Sequence, residues 1–395
     1  MNAIKNKRIA IVGGGPGGLT LARLLQMKGA VVNVFERDLN RDVRVQGATL
    51  DLHEESGLKA LEHAGLMDAF RANFRPGAGK LRIIDKDGTI RLDFHEFDSY
   101  EESRPEIDRG PLRNILLDSL LPGTVVWDSN FAFMTKPGEG WELAFKNGAF
   151  AHADLVIAAD GGNSKIRPLI TSVQPVYAGV TAIEGIVYNS AKGSPAIHEL
   201  LKGGKIFAFG DEKSLMVSSK GDGSFAFYTG FKTDEHWAVN SGINFNNREQ
   251  VVSFFENEFA GWDERWFGMF ENASSHFIPR PQYYISLEQA WTALPDLTML
   301  GDAAHLMPPY AGEGVNVAML DALELSLCLT GNEFTDTQSA IASYEKQMRK
   351  RAAEALAMTL ESTAMLHSAN AITNLIEMFG NFGMAGTKAV ADSAI

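Results

Sequence analysis

Gly13, Gly15 and Gly18 stand in a G-x-G-x-x-G spacing, with Pro16 between the last two. That spacing serves one chemistry well: bare main chain can approach a pyrophosphate, and the amides of a helix N-terminus meet its two negative charges. Glu36, at the end of the following apolar run, is placed to accept the hydroxyls of an adenosine ribose. A carboxylate there repels a 2′-phosphate, so the expected dinucleotide is FAD or NAD rather than NADP.

Two more acids follow buried-strand patterns and precede or follow glycine: Asp160 before Gly161-Gly162, and Asp302 after Gly301. Ligands of open α/β sheets bind at the carboxyl ends of parallel strands, where both would fall. Asp302, between Gly301 and two alanines, has few structural reasons to exist and is expected to contact the bound dinucleotide. Arg109 and Arg113 are four apart and expected to share an anion-facing side. His305 reads as a core histidine held in a tight loop, and Cys328, among leucines, as a buried structural thiol.

The elements that must position these residues are legible around them. Residues 9–12 form an apolar run suited to a strand buried on both faces, 16–28 a helix, and 30–35 a second strand: one βαβ unit. Residues 80–94 alternate around Asp87-Gly88 and 141–153 around Asn147-Gly148, both hairpin signals. Residues 176–275 are β-rich with an apolar phenylalanine face; 246–259 and 263–270 are expected to be helical, the second of them covering that sheet. Helices are expected over 54–70, 315–329 and 337–368. The fold class is therefore α/β: a Rossmann-like dinucleotide-binding domain (residues 1–78, 104–175 and 276–330) with a β-rich insertion (79–103 and 176–275), which the resemblance given below makes an FAD-binding domain and a substrate domain. A C-terminal helical segment (331–372), expected to lie across both domains, and a tail (373–395), loose from Gly380 onward, complete the expected organisation.

The 395 residues carry 36 basic and 49 acidic side chains, a net charge of −13. So acidic a surface argues against nucleic acid or an anionic membrane as partner. One cysteine excludes an internal disulfide and a thiolate-cluster metal site, and no metal is expected. No apolar run is long enough to span a bilayer, and a cytoplasmic monomer is expected.

Gly13 to Gly18 with Glu36, then Asp160-Gly161, then Gly301-Asp302 form an ordered trio that resembles the FAD signature of class A flavoprotein monooxygenases, the para-hydroxybenzoate hydroxylase-like group. Gly47-Ala48-Thr49-Leu50-Asp51-Leu52-His53, Ile107-Asp108-Arg109 and the run from Gly301 through Pro309 to Asn316 are similar to the TetX-type tetracycline-inactivating monooxygenases. The resemblance implies FAD contacts from Glu36, Arg37, Arg44, Arg109 and Asp302, with Pro309 and Gly312, Gly314, Val315 and Asn316 beside the flavin ring. In that family a glutamine, an arginine and a histidine meet the polar edge of tetracycline, and the matching positions here are Glu184, Lys205 and Ala226. Loss of a guanidinium and an imidazole changes which buried polar groups a substrate can satisfy. Phe207, Phe227 and Tyr310 are expected as aromatic walls, with Pro309 and Gly312 completing the substrate site.

The implied activity is FAD-dependent monooxygenation of an aromatic or polycyclic enol or phenol, tetracyclines included, with the flavin C4a position rather than a side chain carrying the oxygen transfer. Dioxygen is the co-substrate. No second G-x-G-x-x-G occurs, so NADPH or NADH is expected as a transient reductant. A flavin dehydrogenase or oxidase, and a flavin protein that binds without turnover, are the competing expectations.

Overall fold

The computed structural model describes residues 3–43, 47–95, 104–274, 276–286 and 288–381. Arg44 and the end of the expected tail lie outside them. The first half of the chain runs β1 (Arg8–Val12), α1 (Pro16–Met27), β2 (Val31–Phe35), β3 (Leu50–Asp51), β4 (Leu81–Asp85), β5 (Ile90–Asp93), β6 (Glu106–Ile107), α2 (Arg109–Asp118), β7 (Val125–Val126), β8 (Phe131–Thr135), β9 (Trp141–Phe145), β10 (Phe150–Ala153) and β11 (Leu155–Ala158). The second half runs β12 (Val176–Val187), α3 (Pro195–Leu201), β13 (Lys205–Gly210), β14 (Lys213–Ser219), β15 (Phe225–Lys232), α4 (Arg248–Glu258), α5 (Glu264–Glu271), β16 (Ile278–Tyr284), β17 (Leu297–Met299), α6 (Gly314–Thr330), α7 (Thr337–Leu366) and α8 (Ala371–Asn381). Shorter helical turns lie between.

Parallel strands in the order β17-β11-β1-β2-β7 form the first sheet. Its central strands are apolar throughout because helices cover both faces: Ile9, Ala10, Ile11 and Val12 are at most 2% exposed. A three-stranded antiparallel sheet, β10-β9-β8, packs Leu143 and Phe145 onto the same core.

The second large sheet has the order β16-β12-β15-β14-β13-β4-β5. As expected, the Asp87-Gly88 hairpin joins it, β4 lying parallel to β13. The boundary expected at residue 276 falls later, because Ile278–Tyr284 pairs with β12 and belongs to this sheet. The phenylalanines do not share one face. Phe225, Phe227 and Phe231 lie beneath α3, α4 and α5, whereas Phe207 and Phe209 point the opposite way. Both faces are covered, so both can be apolar.

The helix expected over 54–70 is broken into a wide turn at Glu54–Leu58 and two short helices, Lys59–His63 and Met67–Arg71. The expected tail begins with α8, whose Leu375 packs with Leu81, Ile83, Leu92 and Phe209 on the second sheet. Thirty residues long, α7 spans about 45 Å. The Tyr344 hydroxyl donates to Met299 O at 3.0 Å near one end, and His367, just past the other, reaches Ser214 of β14 at 3.1 Å. It ties the parallel sheet to the second sheet. Cys328 is half-buried rather than fully enclosed.

Candidate active site

The glycine-rich turn follows β1. Gly13 adopts φ +113°, and a Cβ on Gly18 would lie 2.2 Å from Gly13 O, so neither position admits a side chain. A Cβ on Gly15 would meet nothing within 4 Å: this residue faces open space. Gly15 is also the N-cap of α1, which has no side-chain cap, so the first amides of that helix face the same opening. By contrast, Asn247 and Asp336 cap α4 and α7 with their side chains. Glu36 is 2% exposed and accepts Gly14 N at 2.7 Å and Asp38 N at 3.0 Å, which fixes its carboxylate at the strand end. Arg37 beside it is exposed.

Asp160 closes its own loop. Its Oδ2 accepts Lys165 N at 2.9 Å, and burial raises its pKa. Arg167, which sequence reasoning passed over, clips this loop to the next: it donates to Gly162 O at 2.7 Å, Ala303 O at 2.7 Å and Asp302 O at 3.0 Å. Gly301 turns β17 into that second loop at φ +59°, ψ −146°. Asp302 is ringed by protein, yet its side chain is open to the solvent of the cleft. That enclosure raises its carboxyl pKa, against the nearby charges of His305, Arg109 and Arg167, which lower it. His305 is 3% exposed and bonded to Asp321, in keeping with a core role.

The start of α6 reaches this loop from the other side. A Cβ on Gly314 would lie 4.0 Å from Asp302 Oδ1, and one on Gly17 would lie 2.8 Å from Leu300 and 3.0 Å from Ala318 O. Three segments far apart in sequence therefore converge. Pro309 opens a short turn on the surface, and Gly312 follows in the left-handed region. Glu313 gives α6 no side-chain cap, so the amides of Gly314, Val315 and Asn316 have no partner from that source. The Asn316 side chain is fully buried and staples the neighbouring ribbon: Oδ1 accepts His53 N at 2.9 Å and Nδ2 donates to Asp51 O at 2.9 Å.

Arg109 is exposed beside this junction, where a Cβ on Gly47 would lie 3.7 Å from its Nε. Arg113 departs from the expectation. It is buried, donates to Arg41 O at 2.8 Å, pairs with Asp38 at 3.0 Å and packs over Trp127, so it braces the loop after Glu36 rather than facing an anion.

The inner face of the second sheet looks onto the junction. Strand pairing aligns Glu184, Tyr228, Met216 and Phe207 in one row and Ala226, Ser218 and Lys205 in the next. Glu184 accepts Arg280 Nε at 2.5 Å and Lys205 is ion-paired with Glu106. Tyr228 accepts Ala48 N at 3.2 Å, and burial, with Glu184 nearby, pushes its pKa up to about 12. Tyr310, like Phe207 and Met216, packs against the cluster around Leu81, Ile83 and Phe209, and it meets His367 edge-on at 4.9 Å. Ala226 is 2% exposed. Phe227 is not a wall of this site: it is fully buried on the other face, against Phe255, Phe270 and Phe277. Alternation on a strand sends neighbours to opposite sides, and Tyr228 takes the inward place. Tyr228, Arg280 and Glu106 were not foreseen. The alternation from Ala226 was a signal for Tyr228; nothing local marked the other two.

This donor set fits FAD. Open space at Gly15, two uncapped helix starts, and acids at the ends of two parallel strands, Glu36 after β2 and Asp302 after β17, suit an extended dinucleotide with a polar ring edge. The fold and the site define a flavoprotein of the class A monooxygenase type. Residues 6–236 and 296–359 match the FAD binding domain family, and the chain belongs to it. It is an FAD-dependent monooxygenase, of a class that uses a reduced nicotinamide and dioxygen with the flavin. The chain is 28% identical over 430 residues to monooxygenase penA of Penicillium thymicola, covering 94% of this chain and 98% of that one. It is 30% identical over 361 residues to 3-amino-4-hydroxybenzoate 2-monooxygenase of Streptomyces cremeus, covering 88% and 84%. The solved tetracycline destructase Tet(55) shares the fold, with TM-score 0.73 at 20% identity over 94% of each chain. No helix among the described residues is long and apolar enough to cross a membrane.

Proposed function

We propose that this enzyme inserts one atom of dioxygen into an electron-rich carbon of an aromatic or polycyclic enol or phenol, tetracyclines included. The approach of Gly314 to Asp302, with Gly47 set between Arg109 and the Glu184–Tyr228 edge of the second sheet, supports the reading. When bound, FAD supplies the chemistry: it takes a hydride equivalent from NADPH or NADH and activates dioxygen. The chain's own residues position and insulate. The amides at the start of α1 would hold the pyrophosphate, Glu36 the ribose and Asp302 the ribityl hydroxyls, with Arg37 and Arg109 adding positive charge nearby. Asp160 and Arg167 hold the adjoining loops. The amides of Gly314, Val315 and Asn316, at the positive end of α6, would stabilise negative charge on the bound ring. Phe207, Met216 and Tyr310 keep water from the reacting face, with Ala226, Pro309 and Gly312 bounding the space and Glu184 and Lys205 at its polar rim.

A panel of tetracyclines and phenolic polyketides, incubated with the holoenzyme, NADPH or NADH and labelled dioxygen, tests this by mass spectrometry. Gain of one labelled oxygen with substrate-stimulated nicotinamide oxidation is the expected result. Turnover without label would turn the reading to a dehydrogenase or oxidase, and tight binding without turnover to a flavin-dependent binding protein. The same reading has the chain acting as a cytoplasmic monomer, which sedimentation of the holoenzyme and cell fractionation test.

A further inference from the structure

We infer that the site selects an uncharged aromatic or polycyclic substrate over a carboxylated one, and that Glu106 is the specificity-determining residue because it holds Lys205. The inference rests on the monooxygenase reading above and names the substrate class within it. Lys205 is on the inner face of β13, two residues before Phe207, and its row reaches Ala226 through Ser218. A lysine so placed would ordinarily be the group that receives a substrate carboxylate. Here Glu106 receives it instead: the two are ion-paired, with side chains only 17% and 3% exposed. Glu106 stands opposite Asp51 on the β3–β6 ribbon, and a Cβ on Gly312 would lie 3.2 Å from Asp51 Oδ1, so the pair abuts the turn that begins α6.

The neighbouring cations are matched in the same way. Arg280 pairs with Glu184, Arg104 with Asp51 at 3.2 Å and Arg75 with Asp108 at 3.4 Å. Arg109 lies between Asp302 and the Glu184–Tyr228 edge, and the reading above gives its charge to the cofactor. A substrate carboxylate could bind Lys205 only by drawing it from Glu106, leaving a buried acid unpaired beside Asp51; separating a buried pair is costly. A neutral carbonyl or hydroxyl meets no such penalty. The ammonium has three hydrogens, and one committed to Glu106 leaves donors for a carbonyl, while the Tyr228 hydroxyl, which accepts Ala48 N, keeps its own hydrogen to give.

The test uses hydroxynaphthoic acid and its carboxamide, nearly identical in shape and different in charge, titrated into the holoenzyme while the flavin absorbance is followed and checked by equilibrium dialysis. Wild-type enzyme is expected to bind the carboxamide about tenfold or more tightly than the acid. Glu106→Gln, which frees Lys205 at constant shape, is expected to erase or invert that ratio. Lys205→Met, which leaves the acid uncompensated, is expected to widen it. Flavin content per chain confirms that each variant holds FAD, and should Glu106→Gln fail to load, the wild-type and Lys205→Met ratios decide. Equal wild-type affinities, a ratio unmoved by the variants, or no binding of the carboxamide overturns the inference. The labelled-oxygen experiment uses other compounds and another readout, so the two readings fail separately.

Discussion

His305 Nε2 lies 2.5 Å from Asp321 Oδ2, and both residues are buried. The same oxygen accepts Gly301 N at 3.0 Å, while Asp321 Oδ1 accepts Arg351 at 2.7 Å, from α7. The turn that presents Asp302 is thus held by one carboxylate, itself tied to the bridging helix.

Replacing that carboxylate removes three partners at once. Asp321→Ala is expected to lower stability by about 3–5 kcal/mol, because buried His305 loses the acid it is bonded to, the Gly301 amide loses its acceptor and Arg351 keeps Glu324 alone. Urea unfolding of the holoenzyme measures it, and flavin release at lower urea than wild type is the accompanying expectation.

The pair also sets a pH window. Burial opposes charge on His305, but Asp321 and its hydrogen bond outweigh it and the histidine pKa is raised; burial opposes charge on Asp321, but His305 and Arg351 outweigh it and the acid pKa is lowered. A raised histidine stabilises fully below its unfolded value of about 6.5 and loses that contribution as pH rises through its folded pKa. A lowered acid contributes above its unfolded value of about 3.9 and loses that as pH falls through its folded pKa. The stability gap between wild type and His305→Gln is therefore expected to be widest between about pH 4 and 6.5 and to shrink on the alkaline side. Unfolding curves across that range check it; a gap that grows with pH would refute the assignment.

Asp302→Ala keeps the fold and weakens the cofactor. The side chain opens to the cleft and its loop is fixed from behind by Arg167 and Gly301, so circular dichroism of the apoprotein should match wild type. FAD affinity, followed by flavin fluorescence, is expected to fall about tenfold or more, the value of hydrogen bonds to a charged group.

The two phenylalanines once expected to act alike should separate. Phe227→Ala opens a cavity under α4 and α5 and is expected to cost about 3–5 kcal/mol of stability. Phe207→Ala, on the half-buried inner face, should cost less and change substrate affinity instead. Thermal unfolding and substrate titration on both variants distinguish them.

Much of the cofactor side was legible because its constraints are local. The glycines around Gly15 and the acids Glu36 and Asp302 each follow from a strand end and a turn, and the βαβ pattern fixes where those meet. The substrate side was less so. Which of Phe207 and Phe227 looks inward depends on strand phase, and phase leaves no mark in sequence when both faces are covered. The pairings of Lys205 with Glu106 and of Glu184 with Arg280 join strands that sequence does not place side by side. Arg113 looked like an anion ligand only because Asp38 and Trp127 could not be seen to claim it. The helix at Ala371–Asn381 earned no reading because what it rests on, Leu81 and Phe209, lies far upstream.

The parallel pairing of β4 with β13, and of β11 with β17, has a consequence for how the enzyme is made. Neither layer is contiguous: a ribosome must deliver Leu297–Met299 before the parallel sheet can close, by which time the intervening strands have already been synthesised. Nascent chains cut before that strand would hold the glycine turn without Asp302, so the two sides of the cleft come together only late in synthesis.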